Sequence, residues 1–434
     1  MTVTEMTISG RSSAGSGDQA LLKKSWKTPV VLAVFAVLGV VLLVIFGRGG
    51  NATLNFTATS QPDAIKLAEW VLPARVTNDI VAVVALLMAA GSFLYRRASR
   101  RIPLWYISVF AVVLVFGFLV WSATDTGHVL FVTSLLVGGL ALSAPIIFGG
   151  LGGVISERVG VTNVAIEGQL LSGAFVSAVA ASITQSVVVG IIAAAVAGVL
   201  VSFVLGAFAI KYAVNQVIVG IVLNVLVLGL TTFLYQTVLL TNIGALNSPP
   251  QLHVINIPLL SRIPVIGPLL FSQTIIVYLM YVAVIAVFFG LFRTRWGLRL
   301  RSVGEHPQAA DTVGINVGRT RFWNVALAGG IVGIGGAYFT LGSVGPFSQN
   351  MTNGLGYIAL AAVIFGRWDP VRVTLAALLF GFASNLQSVL GILGSPVPND
   401  FLLMLPYLVT IFAVAGLGGA ARAPAAAGRP YIKS

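Results

Sequence analysis

The chain has 434 residues, of which 57% are hydrophobic and only 9% charged, and it carries a net charge of +13. An ordinary soluble domain is about a quarter charged, so the composition excludes one. The absence of cysteine removes disulfide frameworks and thiolate metal sites.

Apolar runs of roughly 17–25 residues, the length that crosses a hydrocarbon core, recur along the whole chain. They are continuous rather than alternating, which argues against a membrane barrel. The sequence therefore reads as an all-α polytopic membrane protein. In chain order, residues 1–27 are rich in Ser, Gly and Thr and read as a disordered tail. Lys23, Lys24 and Lys27 introduce the first apolar run, which is read as a retained span because no small-residue cleavage site follows it. Twelve candidate spans follow one another at 29–46, 77–95, 103–121, 129–150, 164–184, 186–210, 216–238, 273–292, 323–343, 352–366, 373–390 and 402–418. Gly and Pro interrupt the apolar pattern at Gly149–Asn163 and Gly345–Thr352. One or two segments are thus expected to be broken or re-entrant, giving about 10–12 transmembrane helices, and such backbone must be covered by protein or line a water-filled cavity.

With the N-terminus placed in the cytoplasm, 21 of the 25 Lys and Arg fall on one side. That asymmetry is the positive-inside pattern and places both termini in the cytoplasm. The basic charge is topological and calls for no nucleic acid. Two large loops, Arg48–Arg75 and Thr241–Phe271, are external, the second a Pro-rich segment that reads either as an ordered cap or as a simple connector.

Several chemistries are missing. No lysine follows a glycine, so the chain has no P-loop. His128, His253 and His306 are scattered without ligand spacing, so no metal site is expected. No Ser/His/Asp arrangement suggests a hydrolase. None of the twelve acidic residues lies at the centre of a candidate span. Proton-coupled carriers keep such residues despite a cost of about 3 kcal/mol, so their absence argues against a proton-driven carrier. It leaves Na⁺ coupling through carbonyls and hydroxyls open. The energy for uphill transport is expected from another chain.

The most polar internal stretch is the loop 293–322. Within it, "GEHPQAADTVG" places Pro307 at a helix start and Gly314 just past a helix end. A two-turn helix, Pro307–Val313, is expected. A helix this short is marginal in water, so it must dock, either on the protein's own base or in a partner's groove.

This loop, with the segment Asn324–Pro370, closely resembles the permease subunits of bacterial ABC importers, in the branch serving branched-chain amino acids, ribose-type sugars and nucleosides. "SERVGVTNVAIEGQLLSGAF" (Ser156–Phe175) is similar to that family's E-R-x-G-x-x-N-x-x-x-E-G segment. "GLRLRSVGEHPQAADTVGINV" and "NMTNGLGYIALAAVIFGRWDP" look most like the nucleoside-type permeases; Gln169 and Val164-Ala165-Ile166 depart modestly from the family pattern. The resemblance covers roughly Val129 to Leu417. It implies a permease core at 126–418, an N-terminal extension at 28–125 with about three transmembrane helices, and a cytoplasmic tail at 419–434. By the same resemblance the loop is an ATPase-coupling element carried by Glu305, His306, Pro307, Ala309, Ala310, Asp311 and Gly314, flanked by Arg299 and Arg301. Ala310→Arg is then expected to uncouple ATP hydrolysis from uptake.

The implied partners are a cytoplasmic ABC ATPase carrying ATP and Mg, a second permease subunit, like or unlike this one, and an extracytoplasmic substrate-binding protein. The chain itself would carry no cofactor and be no enzyme, sitting in lipid in the bacterial cytoplasmic membrane. Candidate substrate-path residues are Asn163, Glu167, Asn224, Asn324, Tyr338, Phe339, Phe347, Asn385 and Gln387. A lone Asn in a membrane helix is more often an interhelical hydrogen bond than a ligand contact. Glu167 either faces the cavity or caps the break. Ribose- or galactose-type sugars and branched-chain amino acids are the alternative substrates. The rivals of another class are a secondary carrier or facilitator and a structural or signalling membrane protein.

Overall fold

The computed structural model describes residues 26–57, 67–98, 102–124, 129–392, 400–401, 403–404, 406–407 and 422–432. Most of the expected tail 1–27 and most of the expected span 402–418 lie outside the described residues.

The chain opens with α1 (Lys27–Val40), continued by a π-helical turn to Ile45. β1 (Asn51–Asn55) and β2 (Trp70–Pro73) then lead to α2 (Ala74–Arg97) and α3 (Leu104–Ala123). β3 (Leu130–Phe131) pairs in parallel with β1, which pairs antiparallel with β2. This small sheet ties the first three helices to the start of α4 (Val132–Arg158). An apolar cluster reinforces it, with Leu54, Leu119 and Val120 packed on Leu135 of α4 and on Leu386 and Leu390 of the helix Pro370–Ile392.

Next come α5 (Ile166–Thr184), α6 (Val187–Gly206), α7 (Gln216–Leu234) and the short α8 (Ile243–Leu246). The Pro-rich loop is ordered, in line with the cap reading. β4 (Val254–Asn256) pairs antiparallel with β5 (Ser272–Thr274), and the short α9 (Ile266–Phe271) lies between them. After α10 (Ile275–Arg293) the polar loop holds two helices, α11 (Arg295–Glu305) and α12 (Pro307–Thr312). Then follow α13 (Val317–Ala337), α14 (Leu355–Phe365) and α15 (Pro370–Ile392). Among the described residues ten helices are long and apolar enough to cross a membrane.

The core is built on α4, α5, α6 and α13, and backbone proximity explains the glycines. A Cβ on Gly329 would meet Ser202 Oγ at 1.8 Å, and one on Gly333 would meet the Ala194 carbonyl at 2.1 Å. The Gly-xxx-Gly spacing of Gly329 and Gly333 thus lets α13 approach α6 closely.

Two expectations need correction. The glycines at 149–153 do not break a span: α4 stays helical to Arg158, because Ala359, Val373, Val332 and Val363 fill the space those glycines leave. The true interruption is the connector 159–165. Likewise 352–366 is not a full span. α14 has 11 residues, about 16 Å of helix against a hydrocarbon core of about 30 Å.

Candidate functional site

Basic residues gather at one end of the bundle, where α4 ends and α11 and α12 lie; we call it the basic end. From Arg158 the connector 159–165 turns back along α4. Gly149 of α4 lies beside Ile166, the first residue of α5. Nine residues of helix separate Gly149 from Arg158, so α5 starts roughly 13 Å inside the basic end. Irregular backbone at that depth needs internal partners, and uncharged side chains provide them. Gln216 Oε1 accepts from the Thr162 N–H at 2.7 Å, and Asn163 Oδ1 from the Ala165 N–H at 3.2 Å. Asn163 Nδ2 donates to Gln169 Oε1 at 3.0 Å, and Gln169 Nε2 to Ser202 Oγ at 2.8 Å. Asn224 on α7 accepts from the Gly168 N–H at 2.8 Å and donates to the Val164 carbonyl at 2.9 Å and the Tyr357 hydroxyl at 3.1 Å.

Glu167, the second residue of α5, completes the junction. Its Oε1 accepts from Thr352 Oγ1 at 2.6 Å and the Gly354 N–H at 2.9 Å, and its Oε2 from the Gly356 N–H at 2.6 Å. Gly354 precedes α14 in the left-handed conformation, φ 82°. The carboxylate thus sits on the N-terminus of a half-length helix, where free N–H groups and the helix dipole favour an anion. Burying a carboxylate in the membrane costs about 3 kcal/mol, and each bond to a charged group returns about 1.5–3 kcal/mol, so the paired state wins. Of the two roles expected for Glu167, the structure shows the capping one, with α14 as the element capped.

The other end of α14 is held by the same motif. Trp368 donates its indole N–H to Glu157, and Arg158 Nε donates to the Trp368 carbonyl at 3.1 Å. Arg367 and Trp368 both have φ of 55°, a left-handed state costing an L-residue about 1–2 kcal/mol. Their two partners on α4 hold that turn. The segment Glu157–Glu167 therefore grips a single short helix at both ends.

The Arg158 guanidinium also lies 5.8 Å from the Phe292 ring centre, and Arg301 of α11 lies 5.3 Å from the same ring. Gly304 of α11 packs so closely on the end of α4 that a Cβ would stand 2.0 Å from the Arg158 carbonyl. α12 follows with Pro307 at its first position and is closed by Gly314 at φ 84°, whose N–H donates to the Asp311 carbonyl at 2.9 Å. The helix ends one residue earlier than expected. Arg299, Glu305, His306, Ala309, Thr312, Val313 and Gly314 are exposed, with Arg301, Pro307 and Asp311 half-buried. Ala310, by contrast, is 3% exposed. It faces inward, so Ala310→Arg perturbs packing, and Ala309 is the position that probes an outer contact.

The remaining path candidates are dispersed. Asn324 donates to the Thr320 carbonyl at 2.7 Å near the basic end. Asn385 donates to the Leu135 carbonyl at 2.7 Å, joining α15 to α4, and Gln387 is half-buried two residues on. Tyr338 and Phe339 are buried in the π-helical turn that ends α13. Phe347 packs edge-on to Phe175 at 5.1 Å, and its backbone is held by Asn247. Gln169, Gln216, Tyr357, Thr352 and Trp368 complete the network and were not singled out as site residues. Their signal in the sequence is a polar or amphipathic side chain within an apolar run, which does not tell a backbone partner from a ligand contact.

A multi-pass helical membrane protein with a re-entrant junction, a half-length helix and a basic amphipathic hairpin at one end is the class that the fold defines. Comparison makes this specific. The family described as "Branched-chain amino acid transport system / permease component" matches residues 135–414, and the chain belongs to it. The chain is 42% identical over 305 residues to the nucleoside ABC transporter permease protein NupC of Lactococcus lactis subsp. cremoris, covering 68% of this chain and 95% of that one. It is 38% identical over 310 residues to the guanosine ABC transporter permease protein NupQ of Bacillus subtilis, again covering 68% and 95%. A putative glucose ABC transporter permease protein of Haloferax volcanii is 34% identical over 261 residues, 59% of this chain and 78% of its own. No solved structure matches.

Proposed function

We propose that this chain is the membrane-spanning permease subunit of an ATP-driven uptake system for nucleosides. The observation that carries this reading is its identity to two permeases named for nucleoside and guanosine, nearly end to end on their side. The basic end faces the cytoplasm of a bacterial cell, with both termini there, as the Lys and Arg distribution supports. A separate ABC ATPase carrying ATP and Mg docks on the hairpin α11–α12, whose outer residues are exposed and whose inner ones are seated on α4. A second permease subunit and an extracytoplasmic binding protein complete the system. Closure of the ATPase moves α12, and Gly304 and Arg158 pass the movement to α4 and to the turn after α14. α14, gripped at both ends, moves as a strut and alternates the side to which the path opens.

A sugar is the second reading, supported by the glucose permease among the relatives. Reconstitution with the ATPase and binding protein tests both. ATP-dependent uptake of labelled guanosine that excess unlabelled ribose or glucose leaves unaffected supports the nucleoside reading. Uptake of the sugar alone supports the second. Uptake that persists without the ATPase defeats both and favours a secondary carrier.

A further inference from the structure

The segment Arg422–Ile432 has no apolar periodicity, and Pro424, Gly428 and Pro430 prevent a regular helix. It is nevertheless docked, and it touches the α11–α12 hairpin, the start of α13 and the α4–α5 connector at once. On the hairpin side the Ala426 N–H donates to the Gly304 carbonyl at 2.9 Å and the Ala425 N–H to Glu305 Oε2 at 3.2 Å. Arg321 Nη1, at the start of α13, donates to the Arg429 carbonyl at 2.9 Å. Tyr431 is half-buried beside Asp311 of α12, and desolvation together with a hydrogen bond to that carboxylate raises its hydroxyl above the ordinary phenol value. On the connector side, a Cβ built on Gly160 would lie 3.4 Å from the Ala426 carbonyl, and one on Gly428 would lie 3.3 Å from Thr162 Oγ1.

These contacts do specific work. Gly304 lies at the end of α11, where carbonyls lack helical partners, and the segment supplies one. Arg321 is 1% exposed, and the Arg429 carbonyl is the acceptor that its Nη1 finds. α12, six residues long, cannot hold itself in place by helix formation alone. The segment meets α12 at Asp311 and, in the same eleven residues, reaches the connector that leads into Glu167 of α5.

We propose that residues 422–432 are a positioning strap that holds the coupling hairpin in register with the α4–α5 connector. The strap stays docked through the transport cycle, so that movement of α12 becomes movement of the connector rather than local slack. This rests on the coupling role given to the hairpin above.

The test uses the complete complex with its ATPase and binding protein, reading substrate imported per ATP hydrolysed. Deleting 422–434 should lower that ratio about tenfold, within the range of ordinary coupling energies, while membrane insertion and ATPase binding persist. Tyr431→Phe should lower it less, in the same direction. Because the chain has no cysteine, Thr162→Cys with Gly428→Cys allows one disulfide between strap and connector. A Cβ at 428 would stand 3.3 Å from Thr162 Oγ1, the atom the partner sulfur replaces, and the reduced form controls for the strain of a side chain at φ 75°. The oxidised and reduced forms of that variant should transport with equal ratios. An unchanged ratio after deletion overturns the strap, as does a parallel loss of insertion, hydrolysis and uptake in both the deletion and Tyr431→Phe. Uptake that is lost on oxidation and regained on reduction also overturns it, because the segment would then have to release. Absence of ATP-driven uptake in the unaltered complex overturns the coupling reading itself, whereas normal uptake there with an unchanged ratio after deletion overturns the strap alone.

Discussion

Asn78 of α2 and Asn224 of α7 are both buried amides in membrane-spanning helices, one in the N-terminal extension and one in the core. Asn78 is 0% exposed, and neither its Oδ1 nor its Nδ2 has a partner. Asn224 makes three hydrogen bonds, two of them to backbone that no helix satisfies. The extension is held by a small sheet and by apolar packing such as the Leu54–Leu119–Leu135 cluster. The core instead spends its polar side chains on a piece of irregular chain 159–165 and on the free N-terminus of α14. Polarity at the α4–α5 junction therefore marks where helices stop inside the membrane, and Asn78 sits at no such stop.

Three substitutions sharpen that contrast. Glu167→Ala should have the largest effect, since it strands the Thr352 hydroxyl and two glycine N–H groups at about 1–3 kcal/mol each. Melting in detergent should drop steeply and uptake should vanish, with Glu167→Gln recovering part of both. Asn224→Leu should destabilise by about 3 kcal/mol through the orphaned Val164 carbonyl and Gly168 N–H, again visible as a lower melting temperature. Asn78→Leu, the same change in the extension, should be neutral or stabilise by about 1 kcal/mol, because it removes two unpaired buried atoms. If the two Asn→Leu variants shift the melting temperature equally, the contrast between extension and core is broken.

Much of the fold was legible in the sequence, and the reason is physical. Long apolar runs such as 164–184 and 273–292 are set by bilayer thickness, and the helices Ile166–Thr184 and Ile275–Arg293 follow them within a few residues. Pro307 and Gly314 fixed α12 by backbone chemistry alone. The glycines at 149–153 misled because a glycine at a close helix crossing and a glycine at a break look alike in one dimension. α11 stayed hidden behind its arginines, although Gly297, Leu300, Val303 and Gly304 form its buried face. The docked segment 422–432 was illegible for a different reason: backbone groups and Gly, Ala and Pro geometry hold most of it, and these leave no hydrophobic pattern. Glu167 was noticed, but its partner α14 lies almost two hundred residues away, beyond any local reading.

In the proposed mechanism, force from an ATPase enters through the outer face of α12. Ala309 is exposed there while its neighbour Ala310 is buried, so the pair separates docking from packing. Ala309→Arg should abolish ATP-dependent uptake and retention of the ATPase in the purified complex, while leaving the melting temperature of the isolated permease unchanged. Normal uptake with the ATPase still bound would contradict the account.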